Sequence, residues 1–376
     1  MLAVIDLSGL SPAERQDPVN WVVPTGKESL VFSPEENWEG IGNPFSDNGE
    51  PFSSGGDATG VQQLRDPDLY IDTDGLVYLF YSGAGEEAIG MALVVPQNDQ
   101  SGNSRFGDVA ADIGALEFTD DNAAWARHVI DGAIGGADGA RFEDVNNDGL
   151  LDIAVGWEKS GISRAYLNPG PSGVKEVWPA VTVGVTPDVE DAVFADVDGD
   201  GAIDVISATE GGNRQLMVNF APTDPADYTN SAMWTTVAFP TLSTPNAPSQ
   251  PWMYSLVMDV NQDGNLDIVS GGKVDAKVGW FEAPEINKRD LSKWQYHEMG
   301  NVGWTMSLIE SDMDGDGDSD IVLTDRRVGG LSDFGLQGAR WLENPGSDGD
   351  QNSLWTNHFI GTQYEQTMFM TLADMD

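Results

Sequence analysis

A nine-residue phrase, Asp-x-(Asp/Asn)-x-Asp-Gly-x-x-Asp, occurs four times and constrains this chain more than any other feature. It is found at Asp144–Asp152, Asp196–Asp204, Asp259–Asp267 and Asp312–Asp320. A fifth copy opens at Asp374-Met-Asp376. The first aspartates, at 144, 196, 259, 312 and 374, are spaced by 52, 63, 53 and 62 residues. Two further landmarks keep the same phase. One is an aromatic-turn phrase: Tyr166-Leu-Asn-Pro169, Val218-Asn-Phe-Ala-Pro222, Trp280-Phe-Glu-Ala-Pro284 and Trp341-Leu-Glu-Asn-Pro345. The other is a Trp, at 125, 178, 234, 294 and 355, that precedes the next loop by 19, 18, 25, 18 and 19 residues. The two long periods are therefore local insertions, near Thr241–Pro251 and Arg326–Gln337, on a regular repeat.

Each repeat reads as four short strands. One enters the loop (Asp191-Ala-Val-Phe-Ala), one leaves it (Asp204-Val-Ile-Ser-Ala), one carries the aromatic phrase, and one follows the Trp. Short β-branched runs bounded by Gly, Pro, Asn and Asp are strands. Four of them per 50–60 residues, repeated, predict an all-β chain built as a β-propeller of four-stranded blades. A blade cannot bury both faces alone, but stacked neighbours can.

The loop offers side-chain oxygens at positions 1, 3, 5 and 9, with Gly at position 6 for a sharp turn. Hard oxygens at alternate positions suit Ca²⁺, with a backbone carbonyl expected at position 7. An EF-hand requires a bidentate Glu at position 12, where this chain has Val155, Ser207, Ser270 and Leu323. Strand-like flanks also leave no helix pair for one.

Composition excludes several classes. With 62 Asp+Glu against 18 Lys+Arg, a net charge of −44 denies nucleic acid the basic surface it needs. No Cys means no disulfide, thiol nucleophile or thiolate metal site. No apolar run reaches membrane-span length, so no membrane insertion is expected. Four divalent ions would change −44 only to −36, so most of the acidity has another origin, such as solubility or a salty exterior.

These loops resemble the FG-GAP or VCBS-type repeats of integrin-α-like propellers, over residues 121–376. The resemblance implies a β-propeller, seven-bladed or a fragment of one, with one structural Ca²⁺ per matching blade. Carried over by position, the ligands are Asp144, Asn146, Asp148, Asp152 and the Leu150 carbonyl; Asp196, Asp198, Asp200, Asp204 and the Ala202 carbonyl; Asp259, Asn261, Asp263, Asp267 and the Asn265 carbonyl; and Asp312, Asp314, Asp316, Asp320 and the Asp318 carbonyl. Asp374 and Asp376 would begin a fifth set. Sites of this ligand class in extracellular modules bind at about 10⁻⁴–10⁻³ M. At ten to a hundred times Kd each would add roughly 1.4–2.7 kcal/mol.

Residues 1–95 lack the loop. Gln63-Leu-Arg-Asp-Pro67, the strand-turn-strand Asp72–Ser82 and Ala84–Gly90 resemble closing blades of carbohydrate-active propeller enzymes of the ulvan-lyase and glycosidase type. That resemblance makes Arg65, Asp66 and Glu86 candidate catalytic residues. Residues 96–120 read as a linker or long loop. The chain starts without a basic leader and stops inside a loop, so the expectation is a fragment, or a ring closed by Leu2–Asp6 pairing with Met368–Ala373.

His128, His297 and His358 all fall three residues after a blade-opening Trp, a recurrence that marks structure rather than catalysis. Trp157, Trp280 and Trp341 follow the same phase as core. Asp138, Glu190, Trp252, Trp304 and Glu365, just before the first strand of successive repeats, are expected to ring one mouth of the propeller. Acids mixed with Trp there suit a carbohydrate or an extracellular protein partner. The functional expectation is an extracellular or cell-surface, calcium-stabilised binding or adhesion module. The alternative is part of a secreted polysaccharide lyase or glycoside hydrolase acting on acidic, ulvan-like polysaccharide.

Overall fold

The computed structural model describes residues 64–71, 77–83, 88–94, 127–132, 134–240, 247–326, 338–346, 349–361, 367 and 369–371, the stretch 64–94 and Arg127 by backbone alone. The Leu2–Asp6 strand, Glu86, Glu365, Asp374 and Asp376 lie outside the described residues.

Every sheet is antiparallel, and strand order within it follows chain order. The first sheet holds β1 (Leu64–Ile71), β2 (Val77–Gly83), β3 (Ala88–Val94) and β4 (Arg127–Asp131). Because β4 pairs with β3, residues 95–126 connect the third and fourth strands of one sheet. The first loop-bearing blade is β5 (Ala137–Glu143), β6 (Asp152–Trp157), β7 (Ile162–Tyr166) and β8 (Ala180–Val185). The second is β9 (Val189–Ala195), β10 (Asp204–Thr209), β11 (Leu216–Phe220) and β12 (Thr235–Ala238).

The last six strands form one hydrogen-bonded sheet: β13 (Trp252–Met258), β14 (Asp267–Glu282), β15 (Gln295–Ser311), β16 (Asp320–Asp325), β17 (Gly338–Glu343) and β18 (Thr356–Gly361). Its register resolves into two more blades. β14 pairs with β13 up to Gly272 and with β15 from Lys273 onward, with a register shift between Lys273 and Ala276. β15 in turn pairs with β14 up to Trp304 and with β16 from Thr305. The expected four strands per repeat are all present, but β14 and β15 each supply two of them. The first loop-bearing blade turns between its second and third strands at Lys159-Ser-Gly161, whereas Lys273-Val-Asp-Ala276 contains no Gly or Pro, and Val274 itself takes the positive φ of 65°.

The core lies between blades. One cluster joins Ala154, Val181 and Val183 of the first loop-bearing blade to Phe194, Val205 and Trp234 of the second. Another joins Ile206, Val218 and Phe220 to Ile268, Phe281 and Trp294. A third joins Val278, Trp280 and Met299 to Leu308, Leu323 and Trp355. Strands β6, β10 and β16 are buried at every residue, as a strand covered on both faces must be. The entering strands β1, β5, β9 and β13 pack against one another in succession. Radial sheets with apolar cores between them and entering strands at the centre make a β-propeller. Among the described residues no helix is long and apolar enough to cross a membrane.

The recurring histidines are structural. His297 and His358 stack on Trp280 and Trp341 with ring centroids 4.5 and 4.1 Å apart. Their Nε2 atoms meet Glu282 and Glu343 at 2.8 and 2.6 Å. Both indoles are nearly inaccessible, at 1% and 2% exposure. Trp280→Ala is expected to cost about 3–5 kcal/mol by urea unfolding, and His297→Ala about 1 kcal/mol. Equal losses would contradict the assignment of the indole to the core and of the imidazole to its edge.

Candidate functional site

The four loops are folded alike. The position-6 glycines Gly149, Gly201, Gly264 and Gly317 take φ of 85–99°, a region closed to most side chains, and each N–H donates to the position-1 carboxylate at 2.8–3.2 Å. The position-7 N–H of Leu150, Ala202, Asn265 and Asp318 donates to the position-5 Asp. In the second and fourth loops carboxylate oxygens are thereby drawn together. Ligand atoms of Asp196, Asp198 and Asp204 lie within 4.8 Å of one another, as do those of Asp312, Asp314 and Asp316.

The ninth-position aspartates do something more. Asp152, Asp204, Asp267 and Asp320 are 0–1% exposed. One oxygen of each accepts the N–H of the residue that precedes the Pro or Ala-Pro-type turn ending the third strand: Asn168 at 2.7 Å, and Ala221, Ala283 and Asn344 at 2.8 Å. In three of them the other oxygen accepts from Val145, Val260 or Met313 at position 2 of the loop. The exception is Asp204, whose Oδ2 is buried without a hydrogen-bond partner. A buried carboxylate with an orphaned oxygen, grouped with two further aspartates, fits a hard divalent cation.

Burial is the main cause that pushes these carboxyls up, against the backbone N–H groups that lower them, with neighbouring loop aspartates adding to the rise. Asp152 is raised to about 6, Asp267 and Asp320 to about 7, and Asp204 to about 8. The loops thus resist holding all their negative charge unless a cation joins them.

The opposite end of the blades is different. β9 runs away from it toward the loop and β10 returns, since Val189 pairs with Thr209 there and Ala195 with Asp204 at the loop end. Six residues beyond each ninth-position Asp stand Glu158, Glu210, Lys273 and Arg326, one from each of four consecutive blades. Carboxylate oxygens of Glu158, Glu190 and Glu210 lie within 4.8 Å of one another. Lys273 pairs with Glu210, and its Nζ sits 4.6 Å from the Trp304 ring centroid, while the Arg326 guanidinium lies 4.5 Å from the same ring. Burial pushes the Lys273 ammonium down; Glu190, Glu158 and Asp138 oppose that, and Arg326 adds to it. Beside them Arg141 meets Asp191 at 3.2 Å and covers the Tyr254 ring at 4.0 Å.

Of the expected mouth residues, Asp138, Glu190 and Trp304 take part in this cluster. Trp252 does not: it is 3% exposed and packs on Phe281 and Tyr296 in the core between blades. Asp138 and Glu190 precede their loops by six residues and Trp304 by eight, but Trp252 precedes its loop by seven. On a strand an odd offset places the side chain on the other face. Glu158, Glu210, Lys273 and Arg326 escaped the sequence reading because their shared slot holds acids in two blades and bases in the other two. Arg65 and Asp66 lie in β1, where the register with β2 shifts between Arg65 and Asp68.

Loops of this form join the first two strands of four successive blades in this repeat propeller. Within it, residues 144–207 match the FG-GAP-like repeat family, so the chain carries that repeat, and the same loop and strand order recur at 259 and 312. No curated protein matches the chain. Among solved structures, the chain is similar to an Agrocybe aegerita lectin that recognises non-reducing terminal N-acetylglucosamine, at 14% identity over 81% of this chain and 69% of the lectin, with a TM-score of 0.43. It is also similar to an α-L-arabinofuranosidase from Lactobacillus brevis, at 15% identity over 79% and 90% of the two chains, TM-score 0.43. An endo-arabinase from Bacteroides thetaiotaomicron matches at 11% identity over 81% and 96%, TM-score 0.38. The fold assignment rests on the strand pairing itself.

A carboxyl raised by folding contributes stability that is complete below its unfolded value near 4 and is lost as pH rises through its folded value. With chelator present, the melting temperature is therefore expected to fall between pH 5 and pH 8. Excess calcium is expected to remove that fall. Superimposable pH profiles with and without calcium, by scanning calorimetry, would contradict a cation role for the loops.

Proposed function

We propose that this chain is an extracellular, calcium-stabilised propeller that binds carbohydrate at the mouth opposite its calcium loops. The observation that carries the reading is Trp304, approached by Lys273 and Arg326 beside the converging Glu158, Glu190 and Glu210. An indole flanked by fixed hydrogen-bonding groups of both signs is suited to stack on a sugar ring and to orient its hydroxyls. The four loops act as structural calcium sites, each fixing a hairpin rather than touching the ligand. Counting Asp138 with the three glutamates against Lys273 and Arg326, the mouth is negative by two charges. It therefore favours neutral or amino sugars over polyanions.

A second reading, cleavage of an acidic polysaccharide by hydrolysis or elimination, is favoured by one feature. Three carboxylates within 4.8 Å could divide acid and base roles at a glycosidic bond.

Calorimetric titration with neutral, amino-sugar and uronate-containing oligosaccharides separates these readings. Binding without product formation is expected, with Trp304→Ala weakening it by about 2 kcal/mol, roughly thirtyfold. Binding that Trp304→Ala leaves unchanged would overturn the mouth assignment. Release of reducing ends or unsaturated products, lost in Glu190→Gln, would instead establish the enzyme.

A further inference from the structure

The loops share a backbone but not a charge balance. The first and third carry Asn at position 3, and the amide nitrogens of Asn146 and Asn261 reach Asp148 and Asp263 at 3.0 and 3.3 Å. The second and fourth carry Asp there. Among the described residues no ion pair reaches Asp312, Asp314 or Asp316 of the fourth loop, whereas the second loop is met by Arg289. The Arg289 Nε pairs with Asp198 Oδ2, and its Nη2 lies 2.6 Å from Asp200 Oδ2. Those oxygens are the ones the loop leaves open, because the N–H groups of Asp200 and Ala202 take the two Oδ1 atoms.

Arg289 arrives from the next blade, in the connection between β14 and β15, with its guanidinium 5.0 Å from the Phe220 ring. Lys288 and Arg289 are adjacent there in a chain with only 18 Lys+Arg, and the corresponding connection of the following blade, Gly346–Gln351, has neither residue type. On its inner side the second loop retains the unpartnered Asp204 Oδ2, on a carboxylate that lies within 4.8 Å of those of Asp196 and Asp198 by one ligand atom of each. Its outer oxygens are thus held by a guanidinium while its inner oxygen still lacks a partner.

We propose that Arg289 is a built-in counter-ion that competes with calcium for the second loop, so that this loop fills last and its filling releases a tether between two neighbouring blades. The inference rests on the reading of the loops as calcium sites. An entering ion must displace two charge-assisted hydrogen bonds and loses attraction to carboxylates already neutralised in part. Among the described residues the other three loops meet no such cation.

The test is calcium titration by calorimetry of the full chain, of Arg289→Gln, and of Arg289→Gln combined with Asp196→Asn, with hydrogen exchange followed across residues 284–293. Arg289 is 50% exposed, so its replacement leaves the core untouched. One site is expected to tighten by about tenfold in Arg289→Gln, the gain of one relieved ion-pair network. The gain should vanish in the double variant, and calcium should speed exchange across 284–293 in the unsubstituted chain only. Identical isotherms for the unsubstituted chain and Arg289→Gln would overturn the competition while leaving the calcium loops intact. Absence of binding in both would overturn the calcium reading and the competition together.

Discussion

The buried aspartate at the ninth position of each loop is the contact on which the rest of the blade depends. It sits in the apolar interior at the start of the second strand, where an ionised carboxylate is costly without partners. Its partners come from two directions. In three of the four loops a backbone N–H of the loop reaches one oxygen, and in all four an N–H just past the end of the third strand reaches the other. That residue lies at or next to a proline turn, and proline confines the residue before it to extended backbone. One side chain thus sets the loop, the hairpin and the third-strand register together. This linkage explains why the acidic phrase and the aromatic-Pro phrase recur in phase.

Much of this was legible because the loop makes demands that only certain residues meet. Gly at position 6 must take positive φ, and carboxylates at 1, 5 and 9 must catch backbone N–H groups, so the phrase survives wherever the geometry does. The strands that enter and leave the loop, and the aromatic strand beyond it, follow from it. What escaped was set by contacts rather than by local backbone. The fusion of strand positions in β14 left no turn signal, because Val274 takes a left-handed conformation that its side chain does not advertise. Trp252 was placed on the wrong face by a one-residue offset, which the alternation of a strand turns into a complete reversal. Arg289 and Asp198 are 91 residues apart and share no pattern.

The two ends of each blade obey different rules. At the loop end the fold fixes the backbone, and the four copies share one loop conformation. At the mouth the repeat fixes only where a side chain emerges. The slot six residues past the ninth-position Asp holds Glu158 and Glu210 in two blades and Lys273 and Arg326 in the next two. A repeat protein can vary such a slot blade by blade without disturbing its core, because each blade contacts only its neighbours. The result is a mouth that is acidic on one side and basic on the other, with Trp304 on the basic side.

Cations are scarce in this chain, and their placement follows the joints between blades. Arg141 meets Asp191 of the following blade, Arg164 meets Asp131 of the preceding sheet at 2.7 Å, and Lys273 and Arg289 both reach back one blade. Arg340, 1% exposed, joins Asp325 of its own blade to the Asn301 carbonyl of the one before. In a chain of net charge −44, neighbouring blades repel one another over most of their polar surface. Apolar cores supply the attraction, but they are non-directional and would tolerate slippage between sheets. A cation reaching across each joint opposes the repulsion where the blades are closest, and it also fixes their relative position, since its partner carboxylate lies at a single place. The same logic makes Arg289 a natural rival of a metal ion. Wherever a joint lies beside an acidic loop, a positive charge is required there, and the protein can supply it from its own chain or from solution.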